Sequence, residues 1–329
     1  MKNNLKRPLA AALLGGVLAC PLGAVAGPTV TPMVDGSAAS ATALVNSLLA
    51  PAGGVTLVGG SASYIGAPSA SGTFIGGGIG PTGVGIDSGV VLTTGDARFL
   101  GSSAAFPGDN ANKSGDFTAG VLNSLTPNNS PGNALFSSLS SFGTANASIL
   151  GFQFIPNDSF LRLSFVFASE DYNDLVNAGF PTDVFGIFVN GVNYALVPGT
   201  SSPISAATVN CGGPTSGAAN GAGAQNCARF RDNPPFFDVI DSELDGFTTE
   251  FTLLIPVNAS AVNAIQIGIA DNLDSFADSA LLLRANSVSV AAIPEPSTYA
   301  LMLAGLVAIG QLARRRRHGA ATDSATNIH

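Results

Sequence analysis

Hydrophobic and polar residues along most of this chain alternate with a period of two. In LRLSFVFA (161–168), Leu161, Leu163, Phe165 and Phe167 alternate with Arg162, Ser164 and Val166, so one face is wholly apolar. FTTEFTLLI (247–255) repeats the alternation at Phe247, Thr249, Phe251, Leu253 and Ile255. Shorter runs, GVTLVGG, GTFIGGG, GVVLTTGD, AIQIGIAD, SALLLRA and SVSVA, are separated by turn residues. In DVFGIFVNGVNYALV, Asn190-Gly191 lies between two such runs and predicts a hairpin with a type I′ turn. One stretch has another period. SAASATALVNSLL places Leu44, Val45, Leu48 and Leu49 on one side of a helix that Asp35 and Ser37 can cap. Many strands, glycine-rich turns and few helices predict an all-β fold, a jelly-roll-like β-sandwich with a short N-terminal helix.

The two ends break this pattern. Lys2, Lys6 and Arg7 precede a short apolar run, Leu9 to Leu18, and Ala24-Val25-Ala26 offers a cleavage site before Gly27. Residues 1–26 therefore read as a signal peptide. Val17-Leu18-Ala19-Cys20 is a loose lipobox, so a lipid anchor on Cys20 is the alternative at this end. Near the other end, Ser297–Ala313 is 17 residues without a formal charge, followed at once by Arg314, Arg315, Arg316 and Arg317. As a helix it would span roughly 25 Å, near the lower limit for crossing a bilayer. The arginine block would stay on the cytoplasmic side, which places the preceding chain outside and makes 318–329 a cytoplasmic tail. The combination of Pro294-Glu295-Pro296, a hydrophobic helix and an arginine cluster resembles the PEP-CTERM sorting signal. That resemblance implies an exopolysaccharide-producing Gram-negative bacterium, recognition by an exosortase, transient inner-membrane anchoring through 291–317, and release to the cell surface or matrix. The 12 residues after Arg317 are more than most such signals carry.

Processing at both ends would leave about 27–293. That segment carries nineteen acidic and six basic residues, a net charge near −13. Nucleic acid is excluded as a partner by that charge, whereas divalent cations suit it. Both histidines, His318 and His329, lie in the tail. The exported part therefore lacks the base of a Ser-His-Asp or Cys-His site and has no histidine ligand for zinc, copper or iron. It has no tryptophan, and its tyrosines are Tyr64, Tyr172 and Tyr194 alone, a poor supply for a stacked sugar platform. Cys211 and Cys227 flank the low-complexity loop GGPTSGAANGAGAQN, and an even count in an exported protein reads as a disulfide. Gly78, Gly80 and Gly83 satisfy G-x-G-x-x-G, but Pro81 interrupts it and a strand follows where a dinucleotide site needs a helix. These glycines read as turns.

Candidate chemistry lies in two acidic stretches. FVFASEDYNDLVNAGFPTDVFGIFVNG (165–191) carries Glu170, Asp171, Asp174 and Asp183 after a strand, and IQIGIADNLDSFADSALLL (265–283) carries Asp271, Asp274 and Asp278 after another. If the two strands run parallel, or lie on facing sheets in the same direction, Glu170, Asp174, Asp271 and Asp278 meet at one rim. Carboxylates on loops suit a hard cation with oxygen ligands, calcium above all, although the spacing is not that of an EF-hand. The plainer account is that Glu170, Asp174 and Asp278 cap turns by accepting backbone amides. The two stretches together, with LVNSLL and GIDSGVVLTTGD upstream, resemble the choice-of-anchor L domain over roughly 38–290. There a strand runs into an F-A-S-E-E-Y-like turn, and a later one into A-D-x-x-D-x-x-x-D-S-A. Asp171 stands where glutamate is commoner, and the Cys211–Cys227 loop looks like an insertion. The resemblance implies a surface location and no particular reaction.

The expectation is a non-enzymatic surface or matrix protein with a structural or adhesive role, calcium as its candidate cation, and extracellular polysaccharide or other matrix proteins as partners. The alternative is a secreted polysaccharide hydrolase that works through paired carboxylates.

Overall fold

The structure, a computed structural model, describes residues 27–101, 128–172, 175–177, 179, 181–212, 223–233, 240–273, 275, 277–290, 305–307 and 309. Two antiparallel sheets pack face to face. The larger contains β1 (Thr29–Pro32), β4 (Ser71–Ile75), β5 (Ser88–Thr93), β14 (Ser279–Arg284), β7 (Phe160–Ser169), β11 (Gly246–Thr248) and β10 (Phe230–Asp232) in that order, with β12 (Phe251–Pro256) and β15 (Ser289–Val290) also on β7. The smaller runs β2 (Val55–Leu57), β6 (Thr144–Pro156), β13 (Asn263–Asn272), β8 (Val184–Val189) and β9 (Val192–Asn193), with β3 (Ser63–Ile65) on β6. The expected β-sandwich is the observed architecture.

Period-two alternation explains the main core. Leu163, Phe165 and Phe167 of β7 and Leu281 and Leu283 of β14 face Phe152 and Phe154 of β6, Ile265, Ile267 and Ile269 of β13, and Phe185 and Ile187 of β8. Phe165 stacks on Phe251, and Phe167 stacks on Phe185 across the sheets, with centroids 5.5 and 4.9 Å apart. The helix α1 (Ala38–Leu48) closes one side with Ala41, Leu44, Val45 and Leu48 buried. Ser37 caps it by accepting the Ser40 N–H at 3.3 Å, and Asp35 accepts from Ser37 N–H and Ser40 Oγ. The hairpin is also as expected: Asn190 and Gly191 both have positive φ, 51° and 84°, which a type I′ turn requires.

One expectation needs correction. FTTEFTLLI is not one strand. It breaks at Thr249-Glu250 into β11 and β12, and both pieces pair with β7. The second face of β7 is buried as well. Val166 and Ala168 join Phe74, Val84, Ile86, Val91, Phe247 and Leu282 in a second core on the outer face of the larger sheet. Loops around 84–86 and 240–244 and the 3-10 turn Ala97–Leu100 cover it, so alternation alone understates how much of the strand is buried. A third cluster, Phe136, Ala147, Ile149, Val184, Phe188 and Ala270, lies outside the smaller sheet. The short helix α2 (Ala134–Ser137) supplies its Phe136.

Cys211 and Cys227 are disulfide-bonded. The signal peptide and the sorting motif Pro294-Glu295-Pro296 with Arg314–Arg317 lie outside the described residues, as does most of the expected span. Gly305, Leu306, Val307 and Ile309 within it are helical. Among the described residues no helix is long and apolar enough to cross a membrane.

Candidate functional site

Strand direction brings the acids together. In the larger sheet β5 and β7 both run antiparallel to β14, so Thr93 and Ser169 at their ends lie beside Ser279 at the start of β14. In the smaller sheet β13 runs antiparallel to β8, so Asn272 ends where Val184 begins. The C-terminal ends of β7 and β13 thus share a rim. Glu170, Asp171, Asp183, Asp271 and Asp278 all stand there, none more than 7% exposed. Asp174 and Asp274, the other two sequence candidates, lie outside the described residues.

The acids are knitted into the backbone. Glu170 N–H donates to the Asp278 carbonyl at 3.0 Å, and Asp278 N–H donates to Glu170 Oε2 at 3.1 Å. Asp183 N–H donates to Asp171 Oδ2 at 2.8 Å, and Asn272 N–H donates to Asp183 Oδ1 at 3.1 Å. The carboxylates of Glu170, Asp171 and Asp183 thus each accept a backbone amide. This leaves oxygens over: Asp183 Oδ2, Asp271 Oδ1 and Asp278 Oδ1 are buried and make no hydrogen bond. Such oxygens are costly if charged.

Asp271 owes its place to a β-bulge. Ile269 pairs with Ser148 and Asp271 with Ala145, so Asn146 and Ala147 stand opposite Ala270 alone. Asn146 takes φ 49°, a left-handed conformation asparagine tolerates, and its Nδ2 donates to Asp271 Oδ2 at 2.6 Å.

Burial raises the carboxyls. Asp183 is pushed well above the usual range by desolvation, with the charges of Asp171 and Asp271 adding to it. Asp271 is raised chiefly by burial, against which the Thr94 and Asn146 side chains work. Asp278 is pushed up to about 7 by burial, with Thr94 opposing and the Asp96 charge adding. Thr94, Asp96 and Asn146 are members of the group that the sequence reading missed. The signal was there in GVVLTTGD, a strand that runs into an acid as the two chosen stretches do. Gly95 between Thr94 and Asp96 has a reason: a Cβ there would overlap the Asp278 carboxylate.

Among the described residues no three of these carboxylates converge on one metal-binding point. Asp183 and Asn272 also line a neighbouring cleft of about 380 Å³, within the size range of ligand pockets. Its other walls include Ser140, Phe142, Pro181, Ser205 and Thr208. Phe142 is 48% exposed, an aromatic ring presented to solvent at that cleft.

The glycine-rich 78–83 stretch is a turn between β4 and β5, and Arg231 Nη2 donates to the carbonyls of Gly80, Pro81 and Gly83. A phosphate cradle needs inward N–H groups, whereas this loop turns its carbonyls toward a cation.

The choice-of-anchor L domain family model matches residues 33–289, which takes in the smaller sheet, nearly all of the larger sheet and the acidic rim. The chain belongs to the choice-of-anchor L family. In this choice-of-anchor L protein the domain is followed by a match to the PEP-CTERM protein-sorting motif over residues 292–317, which implies exosortase processing and export to the cell envelope or surface. No curated protein and no solved structure matches.

Proposed function

We propose that this exported surface protein is a non-enzymatic component of an exopolysaccharide matrix. It binds saccharide in the cleft beside β8 and takes up calcium at the carboxylate rim. The observation that carries the reading is that Asp183 and Asn272 belong to both features. The cleft offers what a sugar needs: Ser, Thr and Asn side chains for hydroxyls and Phe142 for the apolar face of a ring. The rim offers buried carboxylate oxygens without donors, which a divalent cation would neutralise at the cost of their protons. Cation uptake would draw the carboxylates closer than they stand now and would stiffen the cleft wall.

The test uses the protein released from cells, presented with a panel of matrix polysaccharides in calcium and in chelator. Binding that weakens in chelator and in Phe142→Ala, with no new reducing ends, is the expected result. Reducing ends released at a catalytic rate would make the protein a hydrolase instead. A melting temperature unmoved by millimolar calcium would remove the cation from the proposal and leave the acids as turn caps.

A further inference from the structure

The backbone nitrogen of Gly27 donates to Asp241 Oδ2 at 2.7 Å, across a sequence separation of 214 residues. The contact is part-buried, and the chain around it is fitted closely. A Cβ on Gly27 would overlap the Asp241 carbonyl, and one on Gly101 would overlap that of Pro28. Pro28 has no N–H of its own, so Gly27 carries the donor at this point. Immediately downstream, Val30 packs on the outer core that contains Ile240 and Leu244, and Thr29–Pro32 pairs with β4. The start of β1 is thus seated on the segment that holds Asp241.

Gly27 is also the residue that follows Ala24-Val25-Ala26. Removal of a leader there hydrolyses the Ala26–Gly27 peptide bond. Water supplies the hydroxyl to the Ala26 carbonyl, which leaves as a carboxylate, and Gly27 nitrogen becomes an α-ammonium. One neutral N–H is replaced by three donors and a positive charge, placed against a carboxylate. In an exported segment with nineteen acids and six basic residues, each cation matters.

We propose that leader removal completes the fold: the new α-ammonium of Gly27 forms a charge-assisted pair with Asp241 that pins β1 to the 240–244 segment, so the processed domain is more stable than its precursor. The proposal rests on the export reading above, and specifically on cleavage after Ala26. It assigns Asp241 a role outside the acidic rim.

The test takes protein exported from cells. N-terminal sequencing comes first, with Gly27 expected as the first residue. Two changes are then made in the full chain: Asp241→Asn, and insertion of one alanine between Ala26 and Gly27. The insertion keeps the cleavage site but returns Gly27 to an ordinary amide. Asparagine keeps an acceptor for that amide, so the variants retain the hydrogen bond and the fold. Each change alone is expected to lower the melting temperature by a few degrees, about what a lost charged hydrogen bond costs a domain of this size. The two together are expected to lower it no further than either alone. An exported chain that begins elsewhere would overturn the cleavage reading. A chain that begins at Gly27 and shows unchanged or additive shifts would overturn the ion pair and leave the export reading standing.

Discussion

Glu170 and Asp278 hold each other by both ends: Glu170 N–H donates to the Asp278 carbonyl at 3.0 Å, and Asp278 N–H donates to Glu170 Oε2 at 3.1 Å. This reciprocal pair ties the end of β7 to the start of β14, and the rest of the acidic rim is assembled around that joint.

Removing the Glu170 carboxylate leaves the buried Asp278 N–H without its side-chain acceptor. Glu170→Ala is expected to cost about 1–3 kcal/mol. Glu170→Gln, which keeps an oxygen in place, is expected to cost less. Urea denaturation of the exported protein measures both, and equal losses would show that the acceptor geometry is not what matters.

The rim makes the metal-free protein less stable as pH rises. The Asp278 carboxyl titrates at about 7 in the fold, above the usual carboxylate near 4. Between about pH 4 and 7 the folded state therefore keeps a proton that the unfolded chain has released. Stability from this group is full below about pH 4 and falls as pH climbs through that window. Asp183 and Asp271 shift in the same direction, chiefly through burial, with the Asp171 charge adding to both, the Asp271 charge to Asp183 and the Asp278 charge to Asp271. Melting temperatures measured in chelator from pH 4.5 to 8 should fall, and Asp278→Asn should flatten part of the slope. A rising profile would contradict the assignment.

The Cys211–Cys227 bond closes a loop of sequence separation 16. Replacing both cysteines by serine is expected to destabilise the protein by about 3 kcal/mol through the gain in unfolded-chain entropy. Non-reducing peptide mapping of exported material should recover the two cysteines in one linked peptide. Recovery of both as alkylated thiols would rule out the bond in the exported form.

Processing at the sorting motif, matched over 292–317, should remove the arginine block. Mass spectrometry of surface-released protein is expected to find no peptide that covers Ala300 to Arg314. Its presence there would mean release without cleavage near Pro294-Glu295-Pro296.

Some of this was written locally. Period-two alternation in 161–168 and 264–271 yields strands because it sets the face each side chain takes, and Asn190-Gly191 yields the hairpin because both residues tolerate positive φ. The tripartite C-terminal layout and the lack of histidine before His318 are likewise properties of the chain alone. What the sequence left open was which strands neighbour one another. That order follows from long-range pairing, β14 between β5 and β7 and β13 between β6 and β8, and no local period encodes it. Tertiary structure therefore decided that Asp271 meets Asn146 through a bulge, that Asp96 joins the rim, and that Val166 is buried under loops. It also decided that the carboxyls of Asp183, Asp271 and Asp278 are raised, since desolvation depends on what folds over a group and not on its neighbours in sequence.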